Sequence, residues 1–374
     1  MRKLRLGCVG LTRGNSLFRL AAHHPHVELV AACDLQIEVW MRRLKPEYEA
    51  AGIQLEKTYE NFDQFLEHAM DAVIIATPPS FHAQQSIAAL NAGMHVLCEI
   101  PTAMNLQEAR ALVDATRQTD RLYMAAENLL YLGMTHAWRE MVQSGRLGKI
   151  IYGEGEYIHD IRALHVDTWT DSYYPNTPLG KPPAPSWRAY LHPIRYCTHE
   201  VGPLLEILQD RVVQVMAVDT GSNMAPETGT IDMAVALMKT AKGTILKELV
   251  GFCVAQPSAR RYFCLYGTKG SLETARWEGN ETWAYLDDIP HLSGMVKLPI
   301  AAIPHGRYPQ WVTQSGHGGV DGAMMFDFIN SIIENRASPA DVYRGLDFTL
   351  PGILGVMSAE EDNTWLEVPD PRRW

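Results

Sequence analysis

Short apolar runs alternate with amphipathic segments through the first third of the chain. The apolar runs are LRLGCVG, VELVAACD, DAVIIATPP, MHVLCEIP and RLYMAAE, and segments with helical periodicity such as QSIAALNAG and NLQEARALVDATRQT lie between them. Strands that alternate with helices in this way are typical of parallel βαβ units joined by right-handed crossovers. The pattern therefore predicts a doubly wound parallel sheet, whose strand ends form a ligand crevice.

The second part of the chain has longer runs that come closer to strict alternation. They are KIIYGEGEYIHD, RVVQVMAVD, TIDMAVALMKT, GTILKELVGF and RRYFCLYGT, and Ala241-Lys242-Gly243 between the third and fourth predicts a hairpin. Alternation indicates an open, mostly antiparallel sheet that shields one face of a pocket. Helices are predicted at THEVGPLLEILQD and from Val320 onward. We predict the α/β class with two domains, residues 1–126 and 127–374, with the C-terminal helices able to pack back on the first domain.

Composition narrows the possible partners. Of 374 residues, 47% are hydrophobic and 20% charged, as in ordinary globular proteins. The net charge of -10 provides no basic excess, so neither nucleic acid nor a membrane is expected as a partner. The start of the chain lacks the apolar region of a signal peptide, and no apolar stretch is long enough to span a membrane. Six scattered cysteines without a CxxC pair predict a reducing, cytoplasmic location.

A dinucleotide-binding turn is indicated by GCVGLTRGN at residues 7–15. The segment follows the first predicted strand and precedes a helix, whose N-terminus offers free N–H groups and partial positive charge to a pyrophosphate. Asp34 ends the second strand, where a carboxylate suits a ribose hydroxyl and repels a 2′-phosphate, which favours NAD over NADP. The turn residues predicted to contact the cofactor are Gly10, Thr12, Arg13, Gly14 and Asn15.

Thr12 departs from the G-x-G-x-x-G fingerprint, which has glycine at this position so that the backbone can approach the pyrophosphate. A Cβ takes up room, whereas the threonine hydroxyl is able to donate to a phosphate and Gly14 to occupy the tight turn. The alternative is a Rossmann-like fold that has lost its nucleotide. The strand-turn-helix context favours binding.

Three motifs taken in order, ATPPSFH (76–82), CEIP (98–101) and AAENLLY (125–131), resemble the landmarks of the Gfo/Idh/MocA oxidoreductases. The resemblance implies a Rossmann domain, an α/β domain with an open antiparallel sheet, NAD between them, and sugars or polyols as substrates. It also implies a homo-oligomer, a dimer or tetramer, because a broad apolar sheet face is rarely left in water. At these motifs the implied cofactor contacts are Thr77, Pro78, His82, Glu99, Pro101 and Asn128, with Tyr131 as an implied substrate contact.

Two positions depart from that family. Its strand-end motif is Glu-Lys-Pro, whose lysine helps handle the proton of the substrate hydroxyl, and here the position is Ile100. A later helix of the family carries Asp and, four residues on, a His facing the nicotinamide, whereas YCTHEVGPLLEIL has His199 and Pro203 at those positions. Since positions i and i+4 share a helix face, the imidazole is displaced by one turn and still expected in the pocket.

Both departures are similar to glycoside hydrolase family 109, the NAD-dependent glycosidases. That branch has Glu-Val-Pro and Thr-His-Gly-Leu-Gly-Pro where this chain has EIP (99–101) and THEVGP (198–203), and the tail motifs GHGGVD (316–321) and EVPDPRRW add to the likeness. The resemblance implies a redox-neutral cycle of oxidation, elimination, hydration and reduction. The chain departs from the branch at Thr12, and also at Glu200, where the branch has glycine, so the branch's substrate is not carried over.

Proton transfer in such a cycle requires a group that titrates near neutrality, and His199 suits this role. Tyr157 and Tyr196 are further catalytic candidates, and Trp187 with Arg188 offers an aromatic face and a cation to the cofactor. The sheet face that carries Tyr157 is predicted to be either the pocket or an oligomer surface. The substrate candidates besides Tyr131 are His159, Arg162, Lys181 and His317. No metal site is predicted, because no ligand spacing supports one.

The leading hypothesis is an NAD-dependent enzyme that oxidises a sugar ring carbon transiently and cleaves a glycoside without net redox change. One alternative is a conventional NAD-dependent sugar or polyol dehydrogenase, in which Lys181 replaces the missing lysine. The other is a nucleotide- or sugar-binding protein without turnover, for which Thr12 and Ile100 are the motivation.

Overall fold

The computed structural model describes residues 2–164, 185–256, 259–276, 281–304 and 306–374. Its first sheet contains six parallel strands: β1 (Leu4–Val9), β2 (Val27–Cys33), β3 (Lys57–Tyr59), β4 (Ala72–Ile75), β5 (His95–Cys98) and β6 (Tyr123–Ala125). Their order is β3-β2-β1-β4-β5-β6, that of a doubly wound sheet. The strands β1, β4 and β5 are buried almost throughout, which explains their continuous apolar runs.

Five helices connect the strands of this sheet in chain order and a sixth follows β6. They are α1 (Leu11–Ala21), α2 (Ile37–Ala50), α3 (Phe62–Leu66), α4 (His82–Asn91), α5 (Leu106–Arg117) and α6 (Gly133–Gln143). The start of α5 is fixed by a reciprocal cap, because the Asn105 side chain accepts from the Glu108 N–H and the Glu108 carboxylate accepts from the Met104 N–H. Helix α1 begins directly after β1, which places its N-terminus at the carboxyl edge of the sheet.

A second, nine-stranded sheet follows. Its strands are β7 (Ile150–Ile158), β8 (Val212–Asp219), β9 (Met233–Thr240), β10 (Ile245–Gly251), β11 (Arg260–Gly267), β12 (Gly270–Thr274), β13 (Thr282–Leu286), β14 (Val296–Leu298) and β15 (Leu366–Glu367). The order is β14-β13-β12-β11-β7-β10-β9-β8-β15, and among the described strands the β7–β10 pair is parallel while the others are antiparallel. The predicted α/β class, with a parallel sheet and an open, mostly antiparallel sheet, is confirmed.

One-sided burial of the second sheet follows from its alternating sequence. In β9 every second side chain is buried, and the predicted hairpin to β10 is present, with the Thr240 N–H donating to Thr244 O. Gly243 in this turn has φ of 88°, a conformation that favours glycine. Four further helices are α7 (Thr198–Leu208), α8 (Gln310–Thr313), α9 (Val320–Ile333) and α10 (Val342–Glu360).

The C-terminal helices lie against both sheets. Helix α7 packs on β7, α10 packs on β8 and β6, and α9 packs on α1. These contacts bring α7 and α9 to the crevice at the carboxyl edge of the first sheet. The domain boundary after residue 126 stays a prediction. Within the described ranges, no helix has the length and apolar character required to cross a membrane.

Candidate active site

The turn after β1 has the geometry of a phosphate-binding turn. Gly10 has φ of 83°, and a Cβ on it would lie 2.5 Å from the Ala76 carbonyl oxygen, so only glycine fits here. A Cβ on Gly14 would lie 2.7 Å from Cys8 Sγ, which shows that Gly14 permits the close packing of α1 on β1. Gly10 provides no side-chain cap for helix α1, and in the first turn the Leu11 N–H is bonded to Asp34 and the Gly14 N–H to the Gly10 carbonyl oxygen. The N–H groups of Thr12 and Arg13 are therefore the ones that face an anion at this helix end.

The residues flanking this turn have distinct positions. The Thr12 side chain is exposed, and the Asn15 side-chain oxygen accepts from the Tyr48 hydroxyl at 2.9 Å. The Asp34 carboxylate accepts from the Leu11 N–H at 2.8 Å at the end of β2, and burial raises the pKa of this carboxyl. A helix N-terminus without a side-chain cap from Gly10, a glycine turn and a carboxylate at the end of the second strand together fit the binding of a dinucleotide.

Two strand-end loops are tied together by His82. Its Nδ1 lies 2.9 Å from the Pro101 carbonyl oxygen and its Nε2 lies 2.8 Å from the Thr77 carbonyl oxygen. The ring is buried, and burial lowers the pKa of His82. The Thr77 hydroxyl donates to the Gln85 side chain at 2.6 Å, next to the half-buried Pro78. His82 therefore holds the ends of β4 and β5 in register.

The Glu99 carboxylate lies against Arg13 of the phosphate-binding turn. Arg13 Nε donates to Glu99 at 2.9 Å, and its two terminal nitrogens donate to the two carboxylate oxygens of Asp321 on α9, each at 2.9 Å. Asp321 is 3% exposed and also accepts from Asn128 Nδ2 at 2.7 Å and bonds to His317 Nδ1 at 2.8 Å. This network joins the turn, the end of β5 and helix α9.

Charge pairing fixes the ionisation of the network. Burial disfavours the charged form of Arg13, but the Glu99 and Asp321 carboxylates overcome this effect and raise the pKa of the guanidinium. Burial likewise opposes ionisation of Asp321, yet the bonds from His317 and Arg13 hold the pKa of that carboxyl well below its usual range. Arg13 is thus a cation held beside the turn by two carboxylates.

His199, in the first turn of α7, is bonded to a buried carboxylate. Its Nδ1 lies 2.9 Å from Oε1 of Glu127, which is 0% exposed and also accepts from the Leu129 N–H at 3.1 Å. A carboxylate only accepts hydrogen bonds, so His199 Nδ1 carries the proton that is donated to Glu127. The other ring nitrogen, Nε2, then has a free lone pair, and it has no hydrogen-bond partner among the described residues. Since Glu127 and Asn128 are neighbours, this pair and the Arg13 network meet at one strand end.

Aromatic rings enclose His199. The rings of Tyr157 and Tyr196 contact it edge-to-face, with centroids 5.8 Å and 5.2 Å away, and Phe252 packs on both tyrosines. The Tyr157 hydroxyl lies 3.1 Å from His159 Nδ1. Tyr157 and His159 therefore lie on the side of the sheet that is turned toward His199. Burial raises the pKa of both tyrosines and lowers the pKa of His159.

Two arginines add positive charge to this pocket. The Arg261 guanidinium lies 4.4 Å from the Tyr157 ring centroid, and the Arg188 guanidinium lies 4.3 Å from the ring centroid of Trp187. The charges of both arginines act on Tyr157 and oppose the effect of burial on its pKa. Trp187 and Arg188 thus lie on the His199 side of the crevice rather than beside Gly10.

Several candidates from the sequence lie apart from this arrangement. Tyr131 is buried in a cluster with Tyr308 and Asp327, and Arg162 is exposed and bonded to Asp160. His317 reaches the site through Asp321, and Lys181 lies outside the described residues. Ile100 is 3% exposed and supplies no polar group. In the part of the chain that the structure describes, no three His, Cys, Asp or Glu side chains are placed to hold a metal ion.

Three residues that form the site were missing from the sequence-based assignment: Glu127, Asp321 and Arg261. Glu127 and Asp321 lie within the motifs AAENLLY and GHGGVD, so the motifs contained a signal for both. Arg261 lies in β11, where the alternation of polar and apolar residues does not show which side chain the arginine contacts. Its role depends on β11 lying beside β7, a contact between distant parts of the chain.

Two segments of the chain match protein-family models. Residues 4–127 match the Gfo/Idh/MocA model, described as the oxidoreductase family with an NAD-binding Rossmann fold, and residues 303–373 match the C-terminal domain of glycosyl hydrolase 109. The chain carries a Gfo/Idh/MocA oxidoreductase domain and a glycosyl hydrolase 109 C-terminal domain. The prediction of NAD as the cofactor of the Gfo/Idh/MocA domain is confirmed by this match.

Relatives of the whole chain are named after the same hydrolase family. A glycosyl hydrolase family 109 protein of Streptomyces niveus is 26% identical, over 98% of this chain and 77% of that protein. A family 109 protein of Phocaeicola vulgatus is 26% identical, over 98% of this chain and 83% of that protein. Levoglucosan dehydrogenase in complex with NADH and L-sorbose has the same fold, with a TM-score of 0.80, 21% identity and coverage of 99% of this chain and 100% of that one.

Proposed function

We propose that this protein is an NAD-dependent enzyme that acts on carbohydrates and cleaves a glycoside through transient oxidation of a ring carbon. The observation that carries the proposal is the 2.9 Å bond between His199 Nδ1 and the buried Glu127 carboxylate. It is supported by relatives named as family 109 glycosyl hydrolases over 98% of the chain. When bound, NAD supplies a hydride acceptor and returns the same hydride to the sugar.

His199 Nε2 accepts the proton of the sugar hydroxyl whose carbon is oxidised. The bond to Glu127 fixes the tautomer, orients the ring and offsets the positive charge that appears on the imidazole as it takes the proton. His199 gives the proton back in the closing reduction. Because Ile100 supplies no ammonium group, His199 is the base for this step.

A second proton is held by the Tyr157–His159 pair. Burial raises the pKa of Tyr157, so its phenol is protonated at neutral pH and donates to the leaving oxygen of the sugar. Burial lowers the pKa of His159, so its imidazole is neutral and accepts the proton removed from the carbon beside the new ketone. After the phenol has protonated the leaving group, His159 passes this proton to the Tyr157 oxygen across the 3.1 Å contact. Phe252 packs edge-to-face on Tyr157 and Tyr196 and holds both rings on this side of the pocket.

Deuterium incorporation tests the proposed cycle. With an aryl glycoside in D₂O, elimination removes the hydrogen on the carbon adjacent to the oxidised carbon, and hydration replaces it from exchangeable groups. The product sugar is therefore expected to carry deuterium at this adjacent carbon, as measured by NMR. Released aglycone with no deuterium in the sugar contradicts the proposal, since direct hydrolysis leaves the carbon-bound hydrogens in place.

A substitution separates binding from turnover. His199→Ala is expected to abolish release of the aglycone while NADH binding, followed by fluorescence, is retained. His26→Ala changes an exposed histidine and is the matched control, which should keep full activity. Retained activity in His199→Ala contradicts the assignment. A homo-oligomer, a cytoplasmic location and a sugar or glycoside as the substrate belong to the same proposal.

A further inference from the structure

Two buried carboxyl groups lie directly behind the His199 pocket. Glu200 follows His199 on α7, and Glu248 lies on β10 of the second sheet. Both are 0% exposed, and within the described part of the chain none of their four carboxyl oxygens has a hydrogen-bond partner. Burying unpartnered carboxylates is costly, so the ionised form of this pair is strongly disfavoured.

Gly155 provides the space for the pair. It lies opposite Glu248 in the β7–β10 pairing, and a Cβ on Gly155 would lie 2.4 Å from Glu248 Oε2 and 2.6 Å from Glu200 Cβ. Any side chain here would displace one of the two. The glycine in β7, two residues before Tyr157, therefore allows both glutamates to occupy one enclosed space.

Few charges offset the pair. Charged or titratable groups that face it come from β7, β10, β11, the loop before α7 and the end of β6: Tyr152, Glu154, Tyr157, Lys247, Arg261, Cys197 and Glu127. Lys247 is already bonded to Glu154, which leaves Arg261 as the cation acting on Glu200. Two carboxylates beside one cation in a dry space do not both ionise. Burial raises the pKa of Glu200 and of Glu248 well above the usual range.

Arg261 connects the pair to the pocket. Its guanidinium lies 4.4 Å from the Tyr157 ring centroid, and its positive charge favours ionisation of the phenol while a charge on Glu200 opposes it. A neutral Glu200 leaves the Arg261 charge to act on Tyr157, whereas an ionised Glu200 cancels part of it. The ionisation of the pair thus changes the field at a proposed proton donor.

We propose that Glu200 and Glu248 form a proton-holding carboxyl pair at neutral pH and that its ionisation controls how strongly Arg261 acts on Tyr157. The two glutamates are positioning residues that act through Arg261, and the second half of this statement rests on the proposed function of Tyr157. The glycosidase branch that the sequence resembles has glycine at the position of Glu200, so the carboxyl pair is a feature of this chain.

Infrared spectroscopy of the purified protein at pH 7 tests the first half. A protonated carboxylic acid has a carbonyl stretch separate from that of carboxylates, and this band should be present in the unmodified protein. Glu200→Gln and Glu248→Gln should each weaken it, whereas Glu227→Gln at an exposed position should leave it unchanged. Absence of the band from the unmodified protein, or a band that neither substitution weakens, overturns the proposal.

Folding stability gives a second measurement of the same claim. A carboxyl whose pKa is raised in the folded state binds extra protons there, so its contribution to stability falls as the pH rises above the unfolded value of about 4.3. Glutamine has nearly the volume of glutamate and stands for its protonated form. Glu200→Gln should therefore become more stable relative to the unmodified protein as the pH is raised from 5 to 9, by urea unfolding. A constant or shrinking difference contradicts the pair.

Titration of the Tyr157 phenol tests the second half. The ultraviolet absorbance change of the protein minus that of Tyr157→Phe isolates this phenol. In Glu200→Gln the phenol should ionise at lower pH than in the unmodified protein, because no negative charge then develops beside Arg261. If the phenol of Glu200→Gln ionises at the same pH as in the unmodified protein, or at a higher pH, the coupling is contradicted. None of these readouts uses turnover, so they fail or succeed independently of the glycosidase proposal.

Discussion

Replacing Glu127 by glutamine removes the negative charge behind His199 and nearly preserves the side-chain volume. Glu127 is fully buried, and its Oε1 lies 2.9 Å from His199 Nδ1 and 3.1 Å from the Leu129 backbone nitrogen. Glutamine keeps an acceptor for the Leu129 N–H, so the local fold should persist. It cannot offset the charge that develops on the imidazole when His199 takes up a proton.

The structure sets the size of this effect. His199 Nδ1 and Glu127 Oε1 are in direct contact at 2.9 Å. Two opposite unit charges about 4 Å apart attract by roughly 4 kcal/mol at an effective dielectric constant of about 20, which sets the scale for such a pair. Because each 1.4 kcal/mol corresponds to about a tenfold change in rate, the expected loss in kcat is on the order of a thousandfold. The cofactor network through Arg13 and Asp321 does not contact the Glu127 side chain, so NADH affinity should be unchanged.

The assay follows aglycone release from an aryl glycoside by absorbance and NADH binding by fluorescence. Glu140→Gln makes the same chemical change at an exposed position and is the matched control. We expect a large fall in kcat for Glu127→Gln alone, with NADH binding intact in both variants. A kcat within about tenfold of the unmodified enzyme would refute the reasoning, since it would leave less than about 1.4 kcal/mol for the charge pair.

Three further substitutions test the cofactor side of the crevice. Asp321→Asn should lower the free energy of unfolding by about 1.5–3 kcal/mol, because it weakens the double hydrogen bond between the buried carboxylate and the partly exposed Arg13. The pKa of Asp321 is lowered in the folded protein, so its contribution to stability is present above about pH 3.9 and is lost as the pH falls through the folded pKa. The difference in urea-unfolding free energy between Asp321→Asn and the unmodified protein should therefore shrink in strong acid. A difference that does not shrink contradicts the pairing. Gly10→Ala should lower Tm and abolish NADH binding, because the new Cβ lies 2.5 Å from the Ala76 carbonyl oxygen, and intact binding with unchanged Tm contradicts that geometry. Thr12→Gly should bind NADH at least as tightly, while weaker binding would show that the hydroxyl contacts the cofactor.

Most of the fold was predictable because the periodicity of the chain follows its burial. The strands β1, β4 and β5 of the first sheet are buried on both faces and read as apolar runs, whereas β9 and β10 of the second sheet alternate because one face is covered. The short edge strand β3 was missed, since KTY contains a single buried residue and has no apolar pattern. The division of the second sheet into a parallel β7–β10 pair and antiparallel neighbours depends on long-range pairing, which local sequence does not encode.

The site was only partly predictable. His199 and Gly10 lie in motifs with a chemical reason for each residue type, and both occupy the crevice. The pairing of Glu99 with Arg13 joins residues 86 positions apart, and no spacing rule reveals such a contact. Tyr131 follows Glu127-Asn128 in one motif, yet the tight turn between β6 and α6 directs its ring into a buried cluster. Sequence spacing locates a motif, whereas the turn decides where each side chain lies.

The central claim, hydride transfer without net redox change, is tested most directly by a stoichiometry. Aryl glycosides are incubated with the enzyme and a trace of NAD⁺, and released aglycone and NADH absorbance are followed together. We expect many aglycones per NAD⁺ with no accumulation of NADH. NADH that rises with the substrate while no aglycone appears would contradict the claim and identify a conventional dehydrogenase.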